Sequence, residues 1–182
     1  MPGKTPREAV QNYVGPLQQA LSCVSRAVLR PSGYDPSPQP LILFSEQMPE
    51  RLTKTDLYFD VAQWFSIIED PQNGPWRVTT RGYKYTIETE DAEEILGYHW
   101  HPDALSQFKE PHLHLGSGAR TGRPELETTK AHLPTGRVSM EDFLQLLIEV
   151  FNAQPKKSGW EAVLQKTSGA FWKYASWGRK RN

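Results

Sequence analysis

Apolar positions along this chain pass from helical spacing to alternation and back, and each change marks an element. Val10, Tyr13, Val14, Leu17, Leu21, Val24 and Val28 recur at helical spacing. Thr5-Pro6-Arg7-Glu8 stands before them as a capping box with proline at the first helical position. The pattern predicts a helical arm over residues 1–30, kinked where Gly15-Pro16 removes a backbone donor. Cys23 falls inside it, among Leu21, Val24 and Val28, as a core position. The four prolines between Pro31 and Pro40 then read as an extended linker.

The middle of the chain alternates. A short strand is expected at Leu41–Phe44 and a long one from Leu57 to Ile68, rich in aromatic and β-branched residues. Asp70 to Pro75 is a turn. From Trp76 to Ile87 the apolar residues change parity, Trp76 and Val78 before Gly82 and Tyr83, Tyr85 and Ile87 after it, which marks a bulge at the glycine. Glu88 to Glu94, with five acids in seven residues, reads as a solvated turn. Two further strands carry Leu96, Tyr98 and Trp100, then Leu113 and Leu115, on their apolar sides. The connections are too short for helical crossovers, so the strands are antiparallel.

Gly116 to Arg137 holds four glycines, two prolines and four basic residues, and reads as a long, mildly basic loop. Beyond it, Ser139 caps an amphipathic helix whose stripe is Met140, Phe143, Leu144, Leu147, Val150 and Phe151. Ser158-x-x-Glu161 opens a last helix with Trp160, Val163 and Leu164, followed by Phe171, Trp172 and Trp177 and a basic tail. The expected fold is α+β: an antiparallel sheet of about five strands flanked by an N-terminal helix and two C-terminal helices. The 182 residues suit one domain, in which 41–153 form the sheet core plus a helix and 154–182 the last helix and tail.

Twenty-one basic residues balance twenty-one acidic ones, so no global field draws the protein to nucleic acid or to an anionic membrane. The single cysteine excludes an intrachain disulfide and suits a reducing compartment. No apolar run has the length of a signal peptide or a membrane span, and the expected location is cytoplasmic. Phosphate-loop, dinucleotide-binding and nucleophile-elbow signatures are absent.

What the sequence does carry is histidine. Four of the five lie within sixteen residues, as His99-Trp100-His101 and His112-Leu113-His114. Residues two apart on a strand share a face, so a hairpin between these segments gathers four imidazoles opposite Trp100 and Leu113.

The segment from Tyr83 to Phe151 also resembles the TumE-type toxins of bacterial toxin–antitoxin pairs. The likeness is carried by Tyr83 and Tyr85, the Pro-His-x-His-Leu-Gly strand end with His112, His114 and Gly116, and the helix opening on Ser139. Where that family has an aspartate–asparagine step, this chain has His99-Trp100-His101-Pro102. The resemblance implies a bacterial protein with an antitoxin partner.

Three functions fit the cluster. The first is metal-independent cleavage of single-stranded RNA by a toxin-like, ribonuclease-like phosphodiesterase needing no cofactor. One of His99, His101, His112 and His114 acts as base and another as acid, with Tyr83 and Lys84 assisting. Arg120, Arg123, Lys130, His132, Arg137 and Tyr85 then bind the substrate. In the second, the same four histidines hold Zn, Fe or Mn in a hydrolase or oxygenase, with Asp103 or Glu110 as candidate carboxylates. The third is a non-catalytic protein-binding module using the tryptophans.

Overall fold

Long alternating segments with no helical crossover between them fold as a meander. The computed structural model describes residues 2–71, 74–102, 108–123 and 132–174, with side chains of the last helix described to Gly169. In chain order the elements are β1 (Pro2–Gly3), α1 (Pro6–Leu21), β2 (Arg30–Pro31), β3 (Leu41–Phe44), β4 (Glu50–Arg51), β5 (Leu57–Glu69), β6 (Trp76–Thr89), β7 (Glu94–Trp100), β8 (His112–Leu115), a 3₁₀ turn at Ser117–Ala119, β9 (His132–Pro134), α2 (Met140–Glu149) and α3 (Trp160–Tyr174). The class is α+β as expected, but the sheet is larger than five strands. Its path runs β2-β3-β5-β6-β7-β8-β9, with β1 added on β6 and β4 on β5, and all these pairings are antiparallel.

The parity change in β6 is a bulge. Trp64 pairs with Gly82 and Phe65 with Thr80, so Arg81 has no residue opposite it. The side chains of Val78, Tyr83, Tyr85 and Ile87 therefore share one face with Phe59, Val61, Gln63, Phe65 and Ile67 of β5, all buried. A side chain at Gly82 would bring its Cβ within 2.6 Å of the Trp100 carbonyl oxygen, so only glycine lets β7 approach there.

Helices α1 and α2 cover this face, and α3 packs against both. Phe143 of α2 stacks on Tyr85 at 5.4 Å and meets Tyr98 edge-on at 6.5 Å, while Tyr13 of α1 packs on Phe65 at 5.6 Å. The apolar stripe of α2 is buried through Met140, Phe143, Leu144 and Leu147, but Val150 is exposed. Gln63, buried between two hydroxyls, accepts from Tyr13 and donates to Tyr85. Among the described residues no helix is long and apolar enough to cross a membrane.

The N-terminal helix departs from the arm expected over 1–30. It ends at Leu21, although Val24 and Val28 continue its spacing, and it packs against α2, α3, β5 and β6. The Gln18 side chain turns the chain back by accepting from Leu29 N and donating to the Ala27 carbonyl. Cys23 is buried in that turn, after the helix, and Val28 is exposed. Tertiary hydrogen bonds, invisible to local periodicity, override the helical pattern here.

Candidate functional site

The face of β7, β8 and β9 turned away from the helices is where the histidines meet. Their register forms two rows across the sheet. In one, Lys84, His99, His112 and Pro134 are successive partners; in the next, Thr86, Gly97, His114 and His132 are. His132, expected in a loop, thus lies in β9 directly opposite His114. All five imidazoles are neighbours, with ring centroids 4.3 Å apart for His99–His114 and for His114–His132, 4.8 Å for His112–His132 and 5.2 Å for His101–His112. Phe108 stacks on His132 at 3.8 Å, closing the outer side of the cluster.

A sixth donor comes from the acidic turn. The register slips between Ile87 and Glu88, so that Ile87 pairs with Leu96, Glu88 pairs with Glu94, and Ile95 is left over. That bulge reverses parity and puts the even-numbered Glu94 on the odd-numbered histidine face. Its carboxylate stands 3.8 Å from His99 Nε2 and 3.9 Å from His114 Nδ1. Two glycines permit this. A Cβ at Gly97 would sit 2.7 Å from His99 Nε2 and 3.0 Å from Glu94 Oε2, and one at Gly116 would sit 2.0 Å from the Glu94 carbonyl oxygen. A glycine inside a strand marks close approach, so Gly97 hints that something crosses this face without naming Glu94.

Among the described residues, three of the imidazoles leave a ring nitrogen without a partner: Nε2 of His99, His112 and His114 is buried and has no hydrogen bond. An orphaned buried polar atom is costly and calls for an explanation. For His112 the tautomer is fixed, since Nδ1 donates to the Glu110 carbonyl at 2.7 Å and leaves Nε2 as the lone-pair nitrogen. Burial, reinforced by the charges of His114, Lys84, His112 and His101, holds His99 down to about 3. Burial and then His132, His112 and His101 hold His114 down to about 4, and His101 and His112 are lowered chiefly by burial. Glu94 is raised, first by burial. Near neutrality His99, His101, His112 and His114 are therefore uncharged imidazoles beside Glu94.

Among the described residues, three sets of three donors have ligand atoms within 4.8 Å of one another: Glu94, His99 and His114; His99, His101 and His112; and His112, His114 and His132. Ligands of one ion at roughly 2.1 Å stand about 3.4 Å apart in tetrahedral geometry, so small side-chain movements close each set on a metal.

Other residues expected at the site lie elsewhere. Tyr83 and Tyr85 are on the helix-covered face, where Tyr83 pairs with Trp100 across β6 and β7. Arg137 is on that face too, its guanidinium 4.0 Å over the Trp100 ring, so it is no part of a basic loop over the histidines. The Tyr83 hydroxyl accepts from Val138 N, and burial pushes both tyrosines above their ordinary values. Lys84 remains on the histidine face, exposed, beside His99. Arg120, in left-handed conformation after the 3₁₀ turn, and Arg123 are exposed in the stretch that follows β8. Glu110 contributes its carbonyl to His112. Asp103, Lys130 and Trp177 lie outside the described residues, as does the Trp172 side chain. Comparisons with protein-family models, with curated proteins and with solved structures find no match for this chain.

Proposed function

We propose that the histidine face is a divalent-metal centre and that the protein is a metal-dependent hydrolase. The observation that carries this reading is the convergence, on one sheet face, of the Glu94 carboxylate with three buried Nε2 atoms that have no hydrogen-bond partner among the described residues. Two histidines and a carboxylate suit Zn²⁺, Fe²⁺ or Mn²⁺ and leave positions open for water and substrate. A bound ion supplies Lewis acidity and lowers the pKa of a coordinated water to about 7. Glu94, His99 and His114 hold the ion, the Glu110 carbonyl orients His112, and Gly97 leaves the room that His99 and Glu94 occupy.

The substrate class we favour is a phosphodiester, single-stranded RNA included, because Lys84 is an exposed cation on this face and Lys109, Arg120 and Arg123 are exposed in the segments that flank β8. Toxin-like action on RNA in the cytoplasm, with an antitoxin partner, stays within this reading as its narrowest form. Cleavage by imidazoles alone is less well supported, because it needs an imidazolium acid and burial keeps His99 and His114 neutral.

The test uses bis(p-nitrophenyl) phosphate and a single-stranded oligoribonucleotide. Hydrolysis should vanish on treatment with a chelator and return with Zn²⁺, Fe²⁺ or Mn²⁺. Turnover indifferent to the chelator would return the reading to acid–base cleavage, and no turnover of either substrate under any metal would reject the phosphodiester class.

A further inference from the structure

Six donors are more than one first-row ion draws from a protein, which ordinarily supplies three or four. Glu94 shares a set with His99 and His114 but with none of His101, His112 and His132. An ion held by the carboxylate is therefore out of reach of half the cluster. The set at the other end of β8, His112, His114 and His132, is made of imidazoles alone. The two sets have only His114 in common.

His114 is placed to serve both. Its Nδ1 is the atom 3.9 Å from Glu94 Oε1, while its Nε2 is buried with no hydrogen-bond partner among the described residues. His112 cannot be shared in this way, because its Nδ1 is committed to the Glu110 carbonyl. We propose that the cluster binds two divalent ions, one at Glu94, His99 and His114 and one at His112, His114 and His132, with the His114 ring between them. The proposal rests on the metal-centre reading and deepens it.

Sharing the ring requires His114 to release its one N–H proton to solvent, leaving a lone pair on each nitrogen. The subsites differ in chemistry. Carboxylate oxygen suits Mn²⁺ as well as Zn²⁺, whereas a set of nitrogen donors alone favours Zn²⁺ and accepts Mn²⁺ poorly. A paired-ion site also fits the phosphodiester class, since two ions steady the attacking and leaving oxygens of a phosphoryl displacement.

The experiment is a count of ions retained by metal-free protein after loading and desalting. Wild type should retain two Zn²⁺ per chain, Glu94→Ala one, His132→Ala one, and His101→Ala two. Circular dichroism shows whether each variant is folded. Should one fail to fold, wild type loaded with Mn²⁺ alone decides, and it should retain one. A single Zn²⁺ in wild type overturns the two-ion proposal and leaves the metal centre standing, whereas no bound ion overturns both. Loss of the second ion in His101→Ala but not in His132→Ala overturns the placement on His114, and two Mn²⁺ per chain, or none, overturns the difference between the subsites.

Discussion

The Cβ that Gly97 lacks would stand 2.7 Å from Nε2 of His99. The glycine and the histidine are two residues apart on the same face of β7, and the imidazole leans back over the space the missing side chain leaves. Gly97→Ala should move His99 off Glu94 and weaken Zn²⁺ binding by roughly tenfold or more, the usual effect of disturbing the surroundings of a ligand. Competition with a chromogenic chelator measures it; unchanged affinity would show that His99 is no ligand.

Replacing His112 and His114 by asparagine keeps hydrogen-bonding side chains of similar size and removes nearly all metal affinity. The double variant should fold, melt near the wild-type temperature of the metal-free protein, and lose metal-dependent hydrolysis by roughly 100-fold or more. A collapse of stability with activity falling only in proportion would make the pair structural.

Lowered imidazole pKa values fix a direction for stability against pH. His99 titrates near 3 and His114 near 4 in the folded protein, against about 6.5 unfolded. Between those values the unfolded chain binds protons that the folded one does not. The metal-free protein should therefore hold full stability above about pH 6.5 and lose it as pH falls towards 4. Glu94, Asp60 and Glu141, raised mainly by burial, act in the opposite sense. The clean measurement is thus the difference between wild type and a His99→Asn, His114→Asn variant in urea titrations from pH 8 to 4.5. A difference that does not change with pH would contradict the lowered values.

The two faces of the sheet should separate by mutation. Tyr85→Phe strips a hydroxyl from the buried Gln63 amide and should cost about 1–3 kcal/mol. It should leave the metal content intact, because Tyr85 faces Phe143 and not the histidines. Loss of bound metal at unchanged stability would place the tyrosine back in the site.

Arg120→Ala with Arg123→Ala should change stability by no more than about 0.5 kcal/mol, since both residues are exposed. The Michaelis constant for an oligoribonucleotide should rise while that for the small phosphodiester stays constant. Equal effects on the two substrates would remove the arginines from substrate binding.

Much of this arrangement was readable from alternation. Leu41–Phe44 is the strand the sequence predicts, and the parity change around Gly82 announces the bulge at Arg81. The His99/His101 and His112/His114 pairs lie on one face because their spacing is that of a strand. Three parts were hidden, each for a reason that is not local. Glu94 reaches the site through a bulge at Ile95 that follows from how β6 and β7 register, and its own surroundings read as a solvated turn. His132 stands in a strand that exists only because β8 offers it an edge. Tyr83 and Tyr85 share a face in any register, but only the pairing of Tyr83 with Trp100 places that face under the helices.

Elemental analysis of the purified protein tests the central claim most directly. The account predicts zinc, iron or manganese in at least stoichiometric amount, removed by a chelator with a fall in melting temperature and restored by adding the ion back. Protein that carries no transition metal, and whose melting temperature is unmoved by added Zn²⁺, Fe²⁺ or Mn²⁺, would contradict it.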